Sequence, residues 1–148
     1  MERFLGNIDA KADAKGRLFV PAIFRKNLLS SGESRLILRK DIYQDCLVLF
    51  PGSTWEEELA VLRSRLNRWD EKQQMLYRQF ILDAEALEMD SNGRILIPKR
   101  YFLMAGITSE VRFVGIDYTI EIWARNKLEK PLVDAVTFKQ GMQKWMGT

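Results

Sequence analysis

Apolar and polar residues alternate through Ile8, Ala10 and Ala12, and again through Leu18 and Val20. That period of two is the mark of strands with one buried face. Between the two runs lies "DAKG", a turn in which Gly16 supplies the left-handed residue. The pattern returns 77 positions later. Ala84, Ala86 and Glu88 fall on one face and Leu87 and Met89 on the other, followed by "DSNG" and then "RILI". Asn92-Gly93 predicts a two-residue hairpin loop of type I′, with positive φ at both central positions. Each half therefore reads as strand, tight turn, strand.

The two stretches "DAKGRLFVP" and "DSNGRILIP" share Asp, Gly, Arg and Pro, with apolar residues between Arg and Pro. The segments after them also repeat. Pro21 opens "PAIFRKNLL" and Pro98 opens "PKRYFLMA", as proline suits the start of a helix. Each helix runs into a glycine-containing loop and then two strands, "RLILR" and "CLVLF" in the first half, "EVRFVG" and "TIEIW" in the second. The order of elements recurs, so the chain reads as an internal duplication. The expected organisation is one domain, 1–148, built of repeats at about 1–59 and 83–132. A helical segment at about 54–82 joins them, and 133–148 is a tail with little pattern.

The joining segment predicts a helix capped by Thr54 and Glu57, a capping-box spacing. Trp55, Leu59, Leu62, Leu66 and Trp69 recur at intervals of 4 and 3, and Leu76 and Phe80 extend the series. Asp70 can restart the helix, giving two rather than one. The stripe either packs on its own domain or also meets another subunit.

Composition narrows the chemistry. There is no histidine and one cysteine, which removes histidine-based triads and most transition-metal sites. Cys46 sits in an apolar run and reads as a buried thiol in a reducing compartment. No run approaches 18 apolar residues and no signal-peptide pattern opens the sequence, so the expected location is cytoplasmic, without membrane. The net charge of +3 is small, but Lys11, Lys15, Arg17, Arg25 and Lys26 face only Asp13 within 11–26, a local +4. Residues 83–94 carry Asp83, Glu85, Glu88 and Asp90 against Arg94, a local −3. Phosphate attraction is therefore expected to be led by the first turn.

Asp13 with Arg17, and Asp90 with Arg94, wrap a D-x-x-x-R pattern around each turn. The aspartate can accept from turn amides or pair with the arginine. Arginine's planar fork suits phosphate or guanine edges. An Asp13–Asp90 acid dyad is disfavoured, because a neighbouring arginine lowers a carboxyl pKa. Glu56, Glu57 and Glu58 suit the field at a helix N-terminus rather than a metal. Glycine-rich phosphate loops are missing from the sequence. Phe19, Phe50, Phe113 and Trp123 lie in strand patterns and read as core rather than base-stacking surface. No catalytic constellation, metal site or cofactor is expected.

The stretches "FLG", "DAKGRLFVP" with "FRKNL", "CLVLFP", "DSNGRILIP" and "VGIDYTIEIW", spread over about 1–130, resemble the MraZ family of bacterial transcriptional regulators, within the wider AbrB-like group. The resemblance implies an α+β fold in which two swapped-hairpin repeats intertwine as an AbrB-like β-barrel. It also implies a ring-shaped homo-oligomer that binds double-stranded DNA at short direct repeats in its own promoter, upstream of the cell-division and cell-wall cluster, usually as a repressor. Carried onto this sequence, the DNA-contacting residues would be Asp13, Lys15 and Arg17 with Asp90, Asn92 and Arg94, while Gly16 and Gly93 shape the turns. The competing reading is an oligomeric scaffold whose Asp–Arg pairs only brace the turns; a carboxylate hydrolase is a more distant one.

Overall fold

A computed structural model describes residues 3–147. The first repeat contributes β1 (Phe4–Lys11), β2 (Arg17–Phe19), α1 (Ala22–Ser30), β3 (Arg35–Lys40) and β4 (Leu47–Pro51). Two helices come next, α2 (Gly52–Arg65) and α3 (Glu71–Leu82). The second repeat supplies β5 (Glu85–Glu88), β6 (Arg94–Leu96), α4 (Lys99–Ala105), β7 (Glu110–Asp117) and β8 (Thr119–Ala124). A 3-10 turn, Arg125–Leu128, leads towards α5 (Ala135–Met146). Among the described residues, no helix is long and apolar enough to cross a membrane.

Six strands form one antiparallel sheet in the order β1-β7-β8-β4-β3-β5, and β2 pairs with β6 in a separate ribbon. Exchanging the repeats turns β1-β7-β8 into β5-β3-β4, so the strand order reads as its own reverse. The fold is α+β with duplicated AbrB-like repeats, as expected.

The local hairpins are a different matter. β1 and β2 form no ladder with each other, and neither do β5 and β6; β1 pairs with β7, β5 with β3, and β2 with β6. The reason lies in strand length. β2 and β6 are three residues each, whereas β1 finds an eight-residue partner in β7, from Phe4 opposite Asp117 to Lys11 opposite Glu110. The longer ladder satisfies more backbone groups and aligns more inward side chains. Each tight turn therefore passes the chain from a sheet edge into the shared ribbon.

One core unites both repeats. Leu18, Val20, Phe24 and Leu28 from the first pack with Ile95, Ile97, Tyr101 and Ala105 from the second, beneath the inward residues of β3, β4, β7 and β8. Cys46 is buried, and burial pushes its thiol up to about 12, an unreactive state. The outer face of β3 and β4 carries a second cluster of Ile37, Val48 and Phe50 under Trp55 and Leu59 of α2. There Phe80 of α3 stacks on Trp55, with ring centroids 5.3 Å apart. Arg39, itself buried, lies 4.3 Å over the Phe80 ring.

The apolar stripe is thus divided. Trp55, Leu59 and Phe80 pack inward, but Trp69 and Leu76 are exposed. Asp70 does restart the helix, its side chain accepting from the Gln73 amide. The Thr54 capping box does not form: α2 begins two residues earlier, behind Pro51, and Thr54 is buried inside it. The tail, for all its weak pattern, holds α5, capped by Asp134 through the Thr137 amide.

At Gly115 the backbone of β1 comes unusually close. A Cβ there would stand 2.5 Å from the Leu5 nitrogen and 2.7 Å from the Phe4 carbonyl carbon, both backbone atoms that cannot turn aside. Gly115→Ala should therefore destabilise the fold by about 1–3 kcal/mol in a denaturant titration. Gly141→Ala, in open space on α5, is the control and should not destabilise. Equal effects from both would contradict this close approach of β1 and β7.

Candidate nucleic-acid interface

The two D-x-x-x-R turns fold identically, and the aspartate is their centre. In the first, Asp13 Oδ1 accepts from the backbone amides of Lys15 and Arg17 at 3.0 and 2.9 Å, and Oδ2 accepts from Arg17 Nε at 2.6 Å. In the second, Asp90 Oδ1 accepts from Asn92 and Arg94 amides at 2.9 and 2.8 Å, and Oδ2 from Arg94 Nε at 2.9 Å. The backbone closes each loop in the same way. Gly16 N–H donates to Asp13 O and Asp13 N–H to Arg17 O; Gly93 N–H donates to Asp90 O and Asp90 N–H to Arg94 O.

This is a three-residue loop with a glycine bulge, not the two-residue type I′ turn expected for Asn92-Gly93. Gly16 has φ +89° and Gly93 +82°, but among the described residues Asp117 alone is a non-glycine with positive φ. The carboxylate decides between the two geometries. By accepting two amides it holds Asn92 in the ordinary right-handed region and leaves only the glycine left-handed.

Each turn is then fastened to the other repeat. Ile97 N–H donates to Gly16 O, and Val20 N–H donates to Gly93 O, both at 3.0 Å. A Cβ on Gly16 would lie 2.7 Å from the Ile97 carbonyl oxygen, so this contact requires glycine. The β2–β6 register places Arg17 opposite Leu96, Leu18 opposite Ile95 and Phe19 opposite Arg94. Leu18 and Ile95 point into the core, which sends both arginines to the outer face. Arg17 and Arg94, 77 residues apart in sequence, thus come to lie diagonally on one two-stranded ribbon. Each gives its Nε to its aspartate and, among the described residues, leaves both Nη atoms without a hydrogen-bond partner.

Lys15 and Asn92 occupy the exposed loop tips beside them. Asp13 and Asp90 are each engaged in their own turn, with their own arginine rather than with each other. Three of the four aromatics read as core are buried, Phe50, Phe113 and Trp123. Phe19 is not. It stands on the ribbon's outer face, 57% exposed, because a three-residue strand with Leu18 inward must turn its two neighbours outward.

The charge asymmetry between the turns also changes once the chain is folded. Swapping brings Arg25 of α1 across the second turn: a Cβ on Gly93 would be 2.5 Å from Arg25 Cδ. Arg25 Nη1 donates to Val20 O at 2.9 Å, which fixes it there. Lys99 of α4 lines the hollow beside the first turn. Of the acidic residues near the second turn, Asp83 lies 3.7 Å from Arg39 and Glu85 3.2 Å from Arg100. The linear count of +4 against −3 therefore does not describe the surface.

The Arg17 backbone amide, followed by its side chain and the Lys15 amide, holds the Asp13 carboxyl below the usual carboxylate range, against an opposing effect of desolvation. Asp90 is lowered by the same donors from Arg94 and Asn92. A carboxyl lowered on folding favours the folded turn above its unfolded pKa, about 3.9. That contribution disappears as pH falls through the lower folded value. Carbon-13 titration of both carboxyls should give midpoints below about 3.9. Arg17→Ala should raise the Asp13 midpoint only part of the way, since the backbone amide remains. A midpoint already at the ordinary value in the unchanged chain would contradict this bonding.

Comparison with known proteins agrees with the duplication. A family model described as "MraZ protein, putative antitoxin-like" matches residues 4–79 and, a second time, 80–135. The transcriptional regulator MraZ of Bacteroides fragilis is 55% identical, covering 99% of this chain and 92% of its own length. That of Bacteroides thetaiotaomicron is 54% identical over 99% and 94%. A more distant relative of the same name, from Nitrosospira multiformis, is 34% identical over 94% and 93%. The chain belongs to the MraZ family of transcriptional regulators.

Proposed function

We propose that the chain regulates transcription by binding double-stranded DNA through the β2–β6 ribbon. The observation that carries this reading is the pair of arginines on one exposed ribbon face, each held at Nε and, among the described residues, without a hydrogen-bond partner at either Nη atom. B-DNA's major groove admits a two-stranded ribbon, and a fork of two Nη donors fits the O6 and N7 acceptors of guanine. The aspartates belong to the same surface and position the arginines by accepting from them. Gly16 and Gly93 shape the turns, and Lys15, Asn92, Arg25 and Lys99 are the neighbouring donors that flanking phosphates would meet.

The two repeats act here as one domain, since neither alone makes the ribbon. As the resemblance implies, the targets are short direct repeats in the chain's own promoter, upstream of the cell-division and cell-wall cluster, and the effect is repression. A ring-shaped homo-oligomer on the nucleoid would let several ribbons act together through effective concentration. Self-association is supported by α5, whose Phe138, Met142 and Trp145 recur at helical spacing and are all exposed.

Arg17→Ala and Arg94→Ala should each weaken specific binding in a mobility-shift titration on the region upstream of the gene. The loss of one bidentate arginine corresponds to about 1–3 kcal/mol of base discrimination. The assembled mass should be unchanged by light scattering. Unaltered affinity in both variants would leave the scaffold reading.

A further inference from the structure

The ribbon's outer face holds more than its arginines. Residues two apart on a strand point the same way, so Arg17 and Phe19 share this face with Arg94 and Leu96. Phe19 is 57% exposed and Leu96 55%. Across the strands each arginine faces one of these apolar side chains, Arg17 opposite Leu96 and Arg94 opposite Phe19. The Arg94 guanidinium lies 5.8 Å from the centre of the Phe19 ring. Leu18 and Ile95 already supply the ribbon's attachment to the core, so the two exposed side chains are not needed to hold it down.

We infer that Phe19 and Leu96 determine base specificity by contacting the C5-methyl groups of thymines beside the bases met by Arg94 and Arg17. This rests on the ribbon being the DNA-contacting surface. The major groove offers donors, acceptors and one apolar group, the thymine methyl. A face that alternates guanidinium with apolar surface matches a row of base pairs in which guanine edges adjoin thymine methyls. The pseudo-symmetry sharpens the match. Phe19 and Leu96 occupy equivalent positions in the two repeats, and both are large and apolar although both are exposed.

The test uses the full chain and a duplex of the region upstream of its gene, made once with thymidine and once with deoxyuridine at every thymine. Uracil keeps the pairing and removes only the methyl. The unchanged chain should bind the uracil duplex more weakly, by about fourfold for each methyl contacted. Phe19→Ala and Leu96→Ala should each lose part of that difference, and the double variant should bind both duplexes equally. Arg17→Ala should weaken binding while keeping the difference. Equal binding of the two duplexes by the unchanged chain would overturn the inference, as would a full thymine preference in the double variant. A changed assembly mass in the double variant would overturn it too, assigning the two residues to contact between copies. Binding that depends on Arg17 but ignores the methyl defeats the methyl contact alone. Affinity untouched by Arg17→Ala defeats the DNA-contacting reading itself.

Discussion

Everything on the candidate surface depends on two backbone hydrogen bonds that cross between the repeats, Ile97 N–H to Gly16 O and Val20 N–H to Gly93 O. They tie each tight turn to the strand leaving the other one. Because β2 and β6 are too short to form a stable pair elsewhere, these bonds and the Leu18–Ile95 contact decide that the ribbon exists at all. The ribbon in turn decides where the arginines go. With its inner residue committed to the core, the positions on either side must face outward, and both arginines occupy such positions.

The aspartates add direction to that placement. An arginine on an exposed strand has several rotamers of similar energy, and a charge-assisted bond from Nε selects one. The same carboxylate accepts two amides of its own turn, so the loop and the side chain are fixed by one group. This is why bracing and binding are not rival roles for the Asp–Arg pair. The brace leaves the Nη fork open, as preorganisation for a planar partner requires.

Much of this is legible in the residues alone. The duplicated D-x-x-G-R turns, the proline-led helices and the strand pairs after them are all visible, because turn chemistry and alternation are local signals. Who pairs with whom is not. A three-residue strand carries too little pattern to name its partner, and swapping is a choice between ladders of different length. The same blindness explains Phe19, whose exposure arises from the inward Leu18 rather than from its own neighbours. It also explains the charge count, since Arg25 serves a turn at Gly93, in the other repeat. The tail helix does carry a local signal: Asp134 precedes Thr137 by three residues, at the head of an amphipathic run.

The most direct test of the ribbon as a major-groove reader is dimethyl sulfate protection of the upstream duplex, which reports guanine N7 in the major groove and adenine N3 in the minor groove. Bound protein should protect guanine N7 atoms, and that protection should vanish in the Arg17→Ala, Arg94→Ala double variant at protein concentrations that restore occupancy. Protection confined to adenine N3, or N7 protection that survives loss of both arginines, would contradict it.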